Sequence, residues 1–280
     1  MTRVTFVETF GAAPFAGATV AVLRGDDPGP RAQAIAAGLG CAATVFVLPP
    51  RREDCEVRAR VFTPRRELPL SVKGAMAVAE VLGASAEIAI EQGVTRTVVR
   101  REGENRWSMA LPRPVLGTIP IDQRALAAAA LGVGDDDLDG GLPLLSVSCG
   151  VLMLVVALRS REAVARAAAQ PALWQRLIEK AKPYGAVALS AAAEGDIALR
   201  CLRAGEGDDV GTGVACASAA VYLLRQGVRA AAPRQTMRFE QREGSRCATV
   251  DVSVEGMGDR DDAVRVAGDV AVVGQGELRA

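Results

Sequence analysis

The chain has 280 residues, 50% of them hydrophobic and 24% charged, which is enough for two modest domains or one large one and excludes a disordered polymer. Lys plus Arg and Asp plus Glu both number 33 and aromatic residues are 4%, so neither a nucleic-acid-binding nor an anionic-membrane-binding surface is indicated. There is no histidine, so the commonest general acid–base and metal ligand is missing, and any chemistry falls to Lys, Asp, Glu, Cys, Tyr or backbone groups.

In chain order, Val4 to Leu23 predicts two strands around the turn Gly11-Ala12-Ala13-Pro14, and Ala32 to Leu39 a short helix after the breakers Asp26 to Pro30. Thr44 to Leu48 is a β-rich run closed by Pro49-Pro50, and Glu56 to Phe62 alternates as a half-exposed strand does, with Val57, Ala59 and Val61 on one side. Gly74 to Leu82 has the small-residue texture of a tightly packed helix. Strands follow over Glu87 to Ile90, Thr95 to Arg100 and Arg106 to Leu111. Pro112 to Pro120 reads as a crossover. Next come an Ala-rich helix capped by Asp122, an acidic glycine-rich loop from Gly132 to Gly141, and strands within Leu144 to Leu158. Ser160 caps another helix, and Ala172 to Ala181 predicts a third. Strands over Gly185 to Leu189 and Ile197 to Leu202 lead through the polar loop Gly205 to Asp209 into a long apolar helix, Thr212 to Arg225, and then into hairpin strands. The domain reading is 1–115, 116–265, and a terminal strand 266–280 that returns to the first lobe.

The six cysteines (41, 55, 149, 201, 216 and 247) form no CxxC pair, which argues against a zinc ribbon or a dithiol redox centre. Reduced, mostly apolar-flanked thiols, an N-terminus without a long apolar stretch, and no run of membrane-spanning length together predict a cytoplasmic protein.

The two halves echo each other. Arg60-Val61-Phe62 leads through a loop to Lys73-Gly74-Ala75 and a small-residue helix, and Arg200-Cys201-Leu202 leads to Gly211-Thr212-Gly213 and another. Two facing helix starts, with their unpaired N–H groups and partial positive charge, suit a small carboxylate.

Five stretches in order carry a resemblance: Val7-Glu8-Thr9-Phe10 with Pro14-Phe15-Ala16-Gly17, Ala43-Thr44-Val45-Phe46-Val47, Val61-Phe62-Thr63-Pro64 with Glu67-Leu68-Pro69, Asp208 to Gly213, and Val266 to Val272. Together they resemble the phenazine-biosynthesis PhzF-like isomerases. The resemblance implies an α+β chain of diaminopimelate epimerase-like fold: two pseudo-symmetric lobes, each a curved sheet around a central helix, with the active site between them. It also implies cofactor-independent proton transfer and, because related proteins often dimerise, a homodimer. The chain departs from the family pattern where acid–base residues are expected. Ala43 stands for the general-base Glu, Val72-Lys73-Gly74 for Gly-His-Pro, and Ala18-Thr19 for Asn-Pro; Ser71 and Val210 fall near the cysteine pair of the related epimerases.

Lys73 and Asp209 are therefore the catalytic candidates. A Lys at a positive helix end is expected to have a lowered pKa and to act as base; alternatively it stays charged and anchors a carboxylate, pairs with Asp209, or is merely a solvated surface Lys. Gly74, Ala75, Gly211, Thr212 and Gly213 are candidate carboxylate-binding positions, with Ser71, Thr44 and Cys149 as further pocket candidates. The plainer readings are that Asp209, Ser71 and Thr212 are helix caps and Cys149 a packed thiol. The expected function is isomerisation of a small amino-acid-derived carboxylate without metal or cofactor. Pathways that make alkylated proline units for antibiotics are similar in recruiting such an isomerase. A catalytically silent binding protein and an amino-acid epimerase are the competing readings.

Overall fold

The computed structural model describes residues 2–11, 13–93, 95–118, 123–178, 183–190, 195–203, 207–230, 232–256 and 263–279. They form two compact units: Met1–Ala110 with Ser245–Val250 and Val266–Ala280, and Leu111–Gly244 with Asp251–Arg265.

The first unit runs β1 (Thr2–Thr9), β2 (Ala18–Arg24), α1 (Ala32–Leu39), β3 (Ala43–Leu48), β4 (Val57–Phe62), β5 (Glu67–Leu68), α2 (Val72–Val81), β6 (Glu87–Gln92), β7 (Thr95–Gly103) and β8 (Arg106–Leu111). The second holds β9 (Val115–Thr118), α3 (Arg124–Ala130), β10 (Leu145–Ser148), β11 (Leu152–Leu158), α4 (Arg161–Arg166), α5 (Pro171–Ile178), β12 (Gly185–Ser190), β13 (Ile197–Arg203), β14 (Gly207–Asp208), α6 (Gly213–Arg225) and β15 (Arg234–Glu243). Two long strands, β16 (Arg246–Glu255) and β17 (Ala263–Leu278), contribute residues to both units.

The connectivity repeats. β1 pairs antiparallel with β2, β2 parallel with β3, β3 antiparallel with β4, and β4 parallel with β6. In the same sequence β10 pairs antiparallel with β11, β11 parallel with β12, β12 antiparallel with β13, and β13 parallel with β15. Each parallel step needs a crossover, and helices supply it: α1 between β2 and β3, α4 and α5 between β11 and β12, α2 between β4 and β6, and α6 between β13 and β15.

The two central helices are mostly apolar and buried on all sides over most of their length, as helices enclosed by sheet are, with Lys73 the buried exception in α2. Val72 to Ala79 of α2 and Gly213 to Leu224 of α6 are buried. Their small residues let strands approach closely: a Cβ on Gly74 would lie 3.2 Å from both Val61 methyls. Within α6, Tyr222 Oη donates to the Pro143 carbonyl at 2.8 Å. Tyr222→Phe leaves that carbonyl without its donor, so we expect a loss of about 1 kcal/mol in urea unfolding. The outer helices close secondary cores, α1 over Ala21, Leu23, Phe46, Leu48 and Phe62, and α3, α4 and α5 over Leu154, Val156, Ala186 and Ala188.

Several predicted elements are corrected. The predicted crossover contains β9, which pairs with β10; its prolines flank the strand, and a Cβ on Gly117 would meet Ser146 Oγ at 2.5 Å and force that hydroxyl to turn away. α2 begins at Val72 rather than Gly74, since Ser71 is its cap. The third helix spans Pro171–Ile178, and the predicted extension through 179–181 lies outside the described residues. So do the predicted cap Asp122 and 205–206 of the polar loop, whose next residues form β14. Among the described residues no helix is long and apolar enough to cross a membrane.

Candidate functional site

In the first unit the candidate residues gather where β5 turns into α2. Ser71 is the N-cap: its Oγ accepts from Gly74 N at 3.1 Å, and Ala75 N donates to the Ser71 carbonyl at 3.1 Å. The amides of Gly74 and Ala75, predicted to hold a carboxylate, are thus spent inside the helix. Lys73 sits in the first turn and is 3% exposed, so the solvated-surface reading is overturned. Its location at the positive end of a buried helix is one that a cation does not choose for stability. The Ser71 cap itself contributes to fold: Ser71→Ala is expected to cost about 1 kcal/mol in urea unfolding.

Thr44 and Ala43 lie on opposite faces of β3. Val45 opposes Val61, whose methyls touch the start of α2, so Ala43 shares that face by alternation. Thr44 instead shares the face of Phe46 and Phe62, which packs under α1. The structure therefore does not bring Thr44 to the Ser71–Lys73 turn. Its hydroxyl is buried and has no hydrogen-bond partner among the described residues.

In the second unit the chain passes from β14 through Asp209 into α6. Gly211 has φ +69°, a left-handed turn that glycine takes without strain. Thr212 is the N-cap residue, but its hydroxyl donates to the Asp209 carbonyl and makes no capping bond to the helix amides. The expectation that Asp209 is a simple cap is also overturned: its carboxylate lies 3.4 Å from the Arg203 guanidinium, the two side chains 5% and 6% exposed. Arg203 Nη1 donates to Tyr184 Oη, and its guanidinium stands 4.9 Å from the Tyr184 ring centroid. Asp209 N donates to the Cys201 carbonyl at 3.0 Å, and Thr212 N donates to Gln241 Oε1 at 2.8 Å. A buried helix start whose N-cap side chain is turned to another partner, beside a glycine turn and a buried guanidinium, is a place for an anionic oxygen.

Cys149 follows β10 and is fully buried against α6. Burial pushes its thiol up to about 12, with a hydrogen bond from Ser218 only partly opposing. It keeps its proton at neutral pH, which disfavours thiolate chemistry there. An unfolded thiol ionises near pH 8.5, so Cys149 stabilises the fold below that pH and loses the contribution as pH rises toward 12. The thermal midpoint should fall between about pH 8 and about pH 10.5, and Cys149→Ala should make that fall shallower. Among the described residues no group of three metal-ligating side chains exists.

Sequence reading missed Arg203, Gln92 and Gln241. Their signal was present: Ile90-Glu91-Gln92 and Phe239-Glu240-Gln241 start at matching pairing positions, opposite Val57 and Ile197 respectively. Gln92 Oε1 accepts from Ser71 N at 2.9 Å, as Gln241 Oε1 does from Thr212 N.

Solved structures share this architecture. A PhzF-family phenazine biosynthesis protein of Bacillus anthracis is 20% identical with TM-score 0.84, with 100% of each chain covered. A predicted epimerase of Pseudomonas aeruginosa is 24% identical with TM-score 0.83, again with 100% of each chain covered. A hydroxyproline epimerase of Agrobacterium vitis, with bound trans-4-hydroxy-L-proline, is 12% identical with TM-score 0.68, covering 98% of this chain and 91% of its own. These likenesses give the fold as diaminopimelate epimerase-like. No curated protein matches the chain. The family model described as phenazine biosynthesis-like protein, PhzC-PhzF, matches residues 7–276, and with nearly the whole chain inside that match the protein belongs to this family.

Proposed function

We propose that the protein is an isomerase that moves a proton, or a double bond with it, in a small amino-acid-derived carboxylate, without a cofactor. The observation that carries this reading is the start of α6. Its first turn is buried and its N-cap Thr212 makes no side-chain capping bond, next to a left-handed Gly211 and the Arg203–Asp209 pair. Such an end accepts a carboxylate and stabilises the negative charge that develops on it when the neighbouring carbon loses a proton. Family membership and the epimerase-like fold support the same class of reaction.

Lys73 and Asp209 are the proposed proton-handling groups. Ala43 occupies the position of the family's usual base, so the site has less basic power than its relatives. A conjugated acid or cyclic imine suits it better than a saturated amino acid, because the carbanion is delocalised and its proton correspondingly easier to remove. An alkylproline-type precursor in secondary metabolism fits that chemistry.

The test is proton exchange. The protein is incubated in deuterated water with L-proline, trans-4-hydroxy-L-proline and a pyrroline carboxylate, and label is read by mass spectrometry. Deuterium entering at least one of these beside its carboxylate or along its conjugated system supports the reading, with Asp209→Ala slowing it. Binding of these acids with no exchange into any of them would leave a silent ligand-binding protein and end the proposal.

A further inference from the structure

The two buried glutamines occupy matching positions in the repeat, yet their hydrogen bonding differs. Gln92 is fully used: Oε1 accepts from Ser71 N, Nε2 donates to Thr97 Oγ1 at 3.1 Å, and Thr97 Oγ1 donates onward to the Ile90 carbonyl. The helix start beside it is closed as well, by the Ser71 cap. Gln241 is half used. Oε1 accepts from Thr212 N, which fixes the orientation of the amide because only the oxygen can accept there. Its Nε2 has no hydrogen-bond partner among the described residues, and the residue is 2% exposed. The unmatched donor thus stands at the one of the two matched helix starts whose own N-cap side chain makes no capping bond.

A buried amide nitrogen without an acceptor is costly, and native proteins keep one where something else supplies the acceptor. The Oε1 contact also ties Gln241 into a chain of contacts. Thr212, pinned through its N–H, donates its hydroxyl to the Asp209 carbonyl, and the Asp209 carboxylate meets Arg203, which reaches Tyr184.

We propose that Gln241 is a positioning residue of the α6 turn, with Oε1 holding Thr212, and through it Asp209, in place, and Nε2 reserved as a donor to an oxygen of the bound carboxylate. This rests on the carboxylate reading of the α6 start and adds to it a division of labour within one amide. The duplicated turn in the first unit has lost that spare donor to Thr97.

Two variants separate the halves of the amide. Gln241→Glu keeps an acceptor for Thr212 N but replaces the donor with a repelling oxygen; Gln241→Leu removes both. Amide hydrogen exchange at Thr212 and calorimetric binding of pyrrole-2-carboxylate are measured on the full chain at neutral pH. In Gln241→Glu, Thr212 should stay protected while the probe binds about 10-fold weaker or more. In Gln241→Leu, protection of Thr212 should be lost as well. Wild-type binding with undiminished binding by Gln241→Glu overturns the proposal alone, as does a Thr212 amide equally protected in Gln241→Leu. A wild type that neither binds pyrrole-2-carboxylate nor exchanges protons overturns it together with the function on which it rests.

Discussion

Lys73→Met is expected to slow deuterium entry into substrate by about 10²- to 10⁴-fold, the usual contribution of a positioned general base or acid. The argument starts from burial. At 3% exposure in the first turn of α2, this side chain cannot be part of a solvated face, and a cation there opposes the helix dipole. Lys73→Arg distinguishes the two roles open to it. Arginine keeps the charge but does not release a proton at accessible pH. If Lys73 is the base, Lys73→Arg is as slow as Lys73→Met; if it anchors a carboxylate, Lys73→Arg retains most of the rate and the affinity. Unfolding curves run in parallel tell a lost proton acceptor from a lost fold, and unchanged exchange in Lys73→Met would remove the residue from the mechanism.

Asp209→Leu is expected to lower folding stability by about 3–5 kcal/mol, because it strands the Arg203 guanidinium among buried groups. Arg203→Leu should cost a similar amount for the mirrored reason. The double variant Arg203→Leu with Asp209→Leu should be less destabilised than the sum of the two, since neither charge is then left behind. Urea unfolding of the four proteins gives the coupling directly. Additive losses would mean that each residue draws its support from other neighbours, and the pair would lose its place in the account of how Asp209 is held.

Fold was legible where local pattern and tertiary role agreed. Ala32–Leu39 was read with its observed bounds because breakers precede it and its apolar face is continuous. The β13 and α6 stretches were legible for the same reason. What escaped was pairing that only distant partners create. β9 lies between prolines, and nothing local announces that β10 will pair with it. The site divided along the same line. The turn at Asp209 to Gly213 was visible because glycines and an acid are uncommon together before an apolar helix. Arg203 lay just past the predicted strand Ile197 to Leu202, and its pairing with Asp209 depends on how β14 folds back on β13. Gln92 and Gln241 each lie at the far end of the strand that follows the central helix, so their contact with the helix start emerges only when that strand lies parallel to the one before it. Thr44 shows the opposite failure: one residue of alternation set it on the other face from the position it was expected to neighbour.

The chain path has a consequence for biosynthesis. Thr2 pairs with Leu278 and Thr9 with Val270, so the strand that completes the first unit is translated only after the second unit that intervenes in the chain. Until then β1 has an unpaired edge on that side, and the first unit cannot close on the ribosome by itself. Contacts this distant in sequence slow folding, since loop closure must precede the pairing. Truncating the last strand should therefore yield aggregated protein rather than a shorter soluble one, and neither half should be recoverable by cutting the gene at a single point.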